Sequence, residues 1–85
     1  MAFVYILECG DGTLYTGWTT DLAARVAAHN RGIASHCTRG RLPVRLAYWE
    51  EAADRSAALR REAAIKKLTR TDKLKLIENS ARLPD

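Results

Sequence analysis

The strongest constraint on this chain lies at its start, where Phe3-Val4-Tyr5-Ile6-Leu7 runs without a Gly, a Pro or a charge. A short run of aliphatic, β-branched and aromatic residues predicts a strand buried on both faces, and therefore the central strand of its sheet. Cys9-Gly10-Asp11-Gly12 follows, a turn signal of the hairpin kind. Thr13 to Trp18 then reads as the returning strand. Further on, Val44 to Glu50 alternates in polarity and makes a third strand, with Pro43 able to open it but not to sit inside it.

Helices fill the remainder. Asp21 (or Thr20) caps one over about 22–31, with Gly32 in the expected stop position. Asp54 or Ser56 caps a longer one reaching about Leu68, rich in Ala, Leu, Arg and Glu. Thr69 to Asp72 starts a last, short helix ending near Asn79. Residues 33–42 carry no clear period and read as a loop with at most one helical turn. The order ββα-β-αα predicts an α+β domain, a small three-stranded antiparallel sheet flanked by helices. A chain of 85 residues is too short for two such domains. We read residues 1–80 as one domain and 81–85 as a loose tail.

Composition narrows the class further. Hydrophobic residues make up 47% and charged residues 28%, which fits a globular protein rather than a disordered one. No apolar run approaches the roughly 20 residues needed to cross a bilayer, and no signal peptide is visible. Cys9 and Cys37 then read as reduced thiols of a cytoplasmic protein. With His29 and His36 they could form a Cys2His2 zinc site, but no spacing resembles a zinc knuckle or finger. The net charge is +4. Residues 1–40 are balanced, and the excess lies in 41–85, among residues such as Arg41, Arg60, Arg61, Lys66 and Lys67. A basic face suits a polyanion such as nucleic acid, and it equally suits a solvated helix surface.

Three groups of residues could carry chemistry. Side chains alternate along strands, so a tight hairpin centred near Gly10 sets Tyr5 directly across from Tyr15. Such a pair could simply pack and hold the register. On the first helix Leu22, Ala23, Val26 and Ala27 form an apolar stripe, and Arg25 and His29, four apart, share one edge of it. From there they could reach the sheet's rim, although on helical phase alone the default is that both face solvent. Glu62 has Ala58, Leu59 and Ile65 as its helical neighbours. A carboxylate amid apolar groups needs a partner. That partner is either Lys66, in an i,i+4 pair worth about 0.3–0.5 kcal/mol, or a hard cation.

These residues together resemble a known family. Val4-Tyr5-Ile6, then Tyr15-Thr16-Gly17, are similar to the paired motifs that name the GIY-YIG nuclease superfamily. Arg25 falls where that family has its essential arginine, and Glu62 where it has its metal-binding glutamate. The match runs from Phe3 to about Leu68. Leu14-Tyr15-Thr16-Gly17, Thr38-Arg39-Gly40 and Arg61 to Lys67 look like recurring segments of its short stand-alone bacterial members, the YhbQ-like group. Two positions depart from the pattern: Phe3 replaces the first motif's glycine, and Thr16 is the middle residue of the second. Asn79 is a candidate for the family's late asparagine because it lies in the last helix, and His29 resembles a histidine found in some branches.

The resemblance implies a metal-dependent endonuclease that hydrolyses phosphodiester bonds, with DNA ahead of RNA as substrate. Glu62 would hold one Mg²⁺ or Mn²⁺, chiefly when substrate is bound, because one carboxylate is a weak cage. Arg25 would offer its fork to a phosphate oxygen. Tyr5 or Tyr15 would orient or deprotonate water, helped by His29. A free phenol is under about 1% ionised at neutral pH, so nearby positive charge would have to lower its pKa. Arg39, Arg41, Arg61, Lys66, Lys67 and Asn79 are candidate nucleic-acid contacts. The alternative is a basic nucleic-acid-binding module with the same fold and no catalysis. A pure protein-interaction domain comes third; Trp18 and Trp49 would be its surface anchors, although core burial is the favoured reading for both. No segment reads base sequence, so targeting would fall to substrate shape, a protein partner or an oligomer.

Overall fold

In the computed structural model, which describes residues 1–82, β1 (Ala2–Glu8) occupies the centre of a three-stranded antiparallel sheet. β2 (Leu14–Thr19) pairs on one side and β3 (Arg45–Ala52) on the other, giving the order β2-β1-β3. The apolar run at the start of the chain explains this placement: Val4, Tyr5, Ile6 and Leu7 are all at most 2% exposed, and only a strand covered on both faces can bury four successive side chains.

The hairpin register differs from the expected one. Tyr5 lies opposite Gly17, and Tyr15 lies opposite Leu7, so the hairpin centres on Asp11 rather than Gly10. Turn chemistry accounts for the shift. Gly12 takes the left-handed conformation (φ 84°) that a side chain would disfavour. Cys9 N–H donates to Thr13 O at 2.8 Å, and the Asp11 carboxylate accepts from Thr13 N–H at 3.0 Å. The loop therefore closes between residues 9 and 13. The two tyrosines still share a face, but as diagonal rather than direct neighbours.

Helices cover both faces. α1 (Leu22–Asn30) and the single turn α2 (His36–Arg39) form one layer; α3 (Arg55–Lys66) and α4 (Arg70–Arg82) form the other. Asp21 caps α1 through Ala24 N–H at 3.1 Å, and Asp54 caps α3 through Ala57 N–H at 2.8 Å, each satisfying a free amide of the first turn. α4 continues to Arg82 rather than ending near Asn79. Residues 83–85 of the tail anticipated at 81–85 lie outside the described residues.

Even-numbered positions of β1 face α3 and α4. Ala2, Val4 and Ile6 pack there with Ala58 and Ile65, and Trp18, Tyr48, Leu76 and Ile77 close the cluster. Odd-numbered positions face α1, where Tyr5, Leu7, Cys9 and Val44 meet Tyr15, Leu22, Val26 and Leu46. The inward stripe of α1 is Leu22, Val26 and His29, while Ala23 and Ala27 are exposed. Positions 22, 26 and 29 follow the i, i+4, i+7 line of a helix. His29 is therefore core, fully buried, rather than solvent-facing, and Arg25 stays exposed at the edge. The Asn30 side chain ties α1 to the start of β3 by two bonds to the Val44 backbone, at 2.8 and 3.1 Å. Among the described residues no helix is long and apolar enough to cross a membrane.

Candidate active site

Four elements converge on one cavity of about 290 Å³. β1 supplies Tyr5, β2 supplies Tyr15, Gly17, Trp18 and Thr19, α1 supplies Arg25, α3 supplies Glu62, and Thr20 completes the wall. The tyrosines, the arginine and the glutamate singled out in the sequence thus share a single space. It runs along β2, an edge strand, so it can open to solvent while Tyr5 at its base remains 2% exposed.

Register explains how Tyr5 reaches that space. Its ring lies across Gly17 on the neighbouring strand, where an added Cβ would stand 2.6 Å from the phenol oxygen and 2.8 Å from Cζ. Neither distance is compatible with ordinary van der Waals contact. The glycine of Tyr15-Thr16-Gly17 is therefore the floor beneath Tyr5. The expected hairpin register, centred on Gly10, hid this relation.

His29 lies behind the two phenols. Its ring centroid is 6.0 Å from that of Tyr5 and 5.2 Å from that of Tyr15, and the tyrosine centroids are 6.5 Å apart. His29 Nε2 is 3.1 Å from the Tyr5 hydroxyl, and Nδ1 is 2.8 Å from Thr38 Oγ1. Both ring nitrogens are thus engaged within the protein. Thr38, fully buried on α2, is a part of the site that helical phase and motif spacing do not reveal, because its segment reads as a loop.

The surroundings favour the neutral forms of Tyr5 and His29. Burial pushes the Tyr5 phenol well above its ordinary value, and Tyr15 and then Glu62 add to the rise, while Arg25 opposes it. The lowering by Arg25 expected from the sequence is present, but desolvation outweighs it. Burial, then the Arg25 charge, holds the His29 pKa below its usual value, favouring neutral imidazole.

Glu62 is half-buried, its side chain 17% exposed, with Lys66 Nζ 3.5 Å from Oε2. The carboxylate thus has the i,i+4 partner anticipated for it and also lines the cavity. Ala58 and Ile65 beside it are fully buried, whereas Leu59 is 42% exposed.

The other candidate contacts are dispersed. Arg41 pairs with Asp11 at 3.1 Å and donates to Cys37 O at 2.9 Å. Arg61 pairs with Glu50 at 3.0 Å, Lys66 with Glu62 as above, and Lys67 is exposed at the end of α3. Arg39 lines a cleft with Gly32, Ile33, Ala34 and Ser35. Asn79 lines another with Tyr48, Trp49, Glu50, Leu76 and Ser80, which shares no residue with the tyrosine cavity. Of the residues weighed for zinc, Cys9 is buried and Cys37 exposed, and the His36 side chain lies outside what the structure describes. Among the described residues no three His, Cys, Asp or Glu side chains are grouped to hold a metal.

Comparison with known proteins identifies the family. A family model described as the GIY-YIG catalytic domain matches residues 1–75. A UPF0213 protein of Clostridium perfringens is 51% identical over 81 residues, covering 95% of this chain and 87% of that protein. One from Halobacterium salinarum is 52% identical over 73 residues, covering 86% and 95%. The solution NMR structure of a UPF0213 protein from Bacillus halodurans superposes with a TM-score of 0.58 at 42% identity, covering 92% of this chain and 84% of that one. An E. faecalis protein solved by NMR gives a TM-score of 0.63 at 35% identity, covering 98% and 88%. With its motifs on the expected strands and its small relatives matched over most of their length, this chain belongs to the GIY-YIG family of nuclease domains, among its UPF0213 members.

Proposed function

We propose that this protein is a metal-dependent endonuclease that hydrolyses phosphodiester bonds in nucleic acid, with DNA preferred to RNA. The observation that carries the reading is the single cavity lined by Tyr5, Tyr15, Arg25 and Glu62. Two phenols, a guanidinium and a carboxylate from four separate elements line it together.

The donor set suits a hard divalent ion. Glu62 offers carboxylate oxygens at the cavity wall, and no thiolate or free imidazole nitrogen competes there. Glu62 would hold Mg²⁺ or Mn²⁺, which when bound supplies positive charge to the phosphate and the departing oxygen. Arg25, exposed and one helical turn before His29, is free to swing its guanidinium onto a non-bridging phosphate oxygen. Tyr5 acts as a neutral phenol that positions the attacking water by hydrogen bonding, since burial disfavours its ionised form. Tyr15, diagonal to it, completes the wall against which that water is held. Target choice then rests on substrate shape, a protein partner or self-association, and the site of action is the cytoplasm.

The test is a cleavage panel of single-stranded, duplex and branched DNA and RNA, each with Mg²⁺, Mn²⁺ or chelator. Wild type and Glu62→Ala are run side by side. Metal-dependent cutting that falls by at least about 10²-fold in Glu62→Ala supports the proposal. Salt-sensitive binding without cutting by either protein would replace it with the reading of a non-catalytic nucleic-acid-binding module.

A further inference from the structure

The Tyr5–His29 contact continues into the protein. Thr38 Oγ1 lies 2.8 Å from His29 Nδ1 and 3.4 Å from the Ser35 carbonyl oxygen. Tyr5, His29 and Thr38 are at most 2% exposed, so each hydrogen in the row needs an acceptor nearby. The row holds three: the phenol proton, one ring N–H on a neutral imidazole, and the threonine hydroxyl proton.

Two assignments satisfy the central contacts, and they differ at the cavity. In one, Thr38 donates to the Ser35 carbonyl, His29 Nδ1–H donates to Thr38, and the Tyr5 hydroxyl donates to His29 Nε2. Every hydrogen then has a protein acceptor. In the other, Thr38 donates to Nδ1, and Nε2–H donates to Tyr5. The phenol proton then has no acceptor among the described residues, and the Ser35 carbonyl goes unused by the hydroxyl. The Ser35 oxygen can only accept, which closes the first row at its inner end.

We infer that Thr38 is a positioning residue: its hydroxyl holds His29 as the Nδ1–H tautomer, so that Tyr5 turns its proton inward and presents a lone pair to the cavity. The consequence for chemistry rests on the nuclease reading above. A phenol whose proton is already committed to His29 accepts a hydrogen bond from the attacking water, as a water-orienting group must. With the opposite tautomer, Tyr5 would offer the water a donor and turn its oxygen the wrong way round. Thr38 is not among the residues that line the cavity. It acts through His29, and it occupies the α2 turn because Ser35 caps that turn through Cys37 N–H at 3.0 Å.

The chain has only two histidines, so ¹⁵N-histidine labelling and long-range ¹H–¹⁵N correlation spectra read the tautomer directly. Wild-type His29 is expected to show a protonated Nδ1 and a bare Nε2. Thr38→Val, close in shape but lacking the acceptor, is expected to shift His29 toward Nε2–H, and Thr38→Ser to restore the wild-type pattern. Cleavage should follow the tautomer, falling about 10- to 100-fold in Thr38→Val and recovering in Thr38→Ser, the range seen for outer partners that orient an imidazole. An Nε2–H tautomer in the wild type overturns the inference even if Thr38→Val fails to fold. A drop in cleavage with the tautomer unchanged overturns it too, since Thr38 would then be merely structural. The expected tautomer shift in a wild type that cuts nothing would uphold the hold of Thr38 on His29 and remove only the nuclease reading.

Discussion

Under α3 and α4 the sheet buries Val4, Ile6, Ala58 and Ile65, none of which has a polar side-chain atom. Under α1 and α2 it buries Tyr5, His29 and Thr38, which are joined by hydrogen bonds at 3.1 and 2.8 Å. The same central strand feeds both layers, since its even positions point one way and its odd positions the other. The dry layer is held by non-directional burial, which tolerates small shifts. The polar layer depends on distance and direction, because a buried donor that loses its acceptor is costly. The hydrogen-bonded phenol and imidazole thus lie on the α1 side of β1, while α3 contributes the dry packing and, at its rim, Glu62 to the cavity, and substitutions deep in each layer should separate stability from chemistry.

The largest separation is expected from Ile65→Ala in the dry layer. Removing a fully buried aliphatic side chain should destabilise the fold by about 2–5 kcal/mol. Urea unfolding measures that loss, while cleavage per folded molecule should stay near the wild-type rate. A collapse of activity in still-folded Ile65→Ala would show that the two layers are not independent.

Gly17→Ala makes the opposite cut. Its Cβ would need the space 2.6 Å from the Tyr5 oxygen, so the ring must move and its bond to His29 must lengthen or break. Misplacement by about 1 Å typically costs about 10²-fold in rate, whereas one lost hydrogen bond costs about 1 kcal/mol of stability. Activity should therefore fall far more than the unfolding midpoint. Equal activity in Gly17→Ala would show that the position of Tyr5 over Gly17 does not matter to the chemistry.

How much of this could be read in the sequence depends on which layer is considered. The dry layer was largely legible: the uninterrupted Phe3–Leu7 run reads as a central strand, and Ala58 and Ile65 fall on one side of α3, although Leu59, read with them, is 42% exposed. Tyr5, Tyr15, Arg25 and Glu62 were singled out through their spacing and family resemblance, and the structure gathers them around one cavity. Register was not legible, because Gly10 and Gly12 are both good turn residues and only closure of the loop selects Gly12. Helical phase alone leaves His29 in solvent by default, because a polar residue is the usual occupant of an exposed face, and only the resemblance draws it toward the site. Its burial depends on Thr38 and Tyr5, nine and 24 residues away in the chain. No helical or strand period carries that information.

A smaller effect is expected from pH. Burial and Arg25 keep the His29 pKa in the folded protein below its ordinary value, while the unfolded chain takes up a proton near about 6.5. Between those two values the unfolded state binds more protons. The stability contributed by His29 is therefore present above the unfolded pKa and is lost as pH falls through the folded one. Arg25, Tyr5 and Tyr15 are the charged and titratable groups around the ring. Urea midpoints of wild type and His29→Gln, followed from pH 8 to pH 5, should diverge in slope as the solution is acidified. Parallel curves would mean that the imidazole is not held neutral, and that the polar layer accepts charge more readily than its burial suggests.

The smallest expected effect concerns a buried hydroxyl on the α3 face. Thr16 points toward it, opposite Ile6, and is 3% exposed. Its hydroxyl is the buried side-chain polar atom without a hydrogen-bond partner among the described residues. Thr16 also stands at the middle of the second motif, where the resembled family pattern has an aliphatic residue. Thr16→Val keeps the branched shape and removes the unsatisfied oxygen, which should raise stability by about 1 kcal/mol. Cleavage should not change, because Thr16 alternates away from the face that carries Tyr15 and Gly17. Thermal unfolding and a cleavage assay of the same preparation check both halves. A loss of activity would mean that the hydroxyl acts across the strand on the tyrosine cavity, and that the division between the two faces leaks at this position.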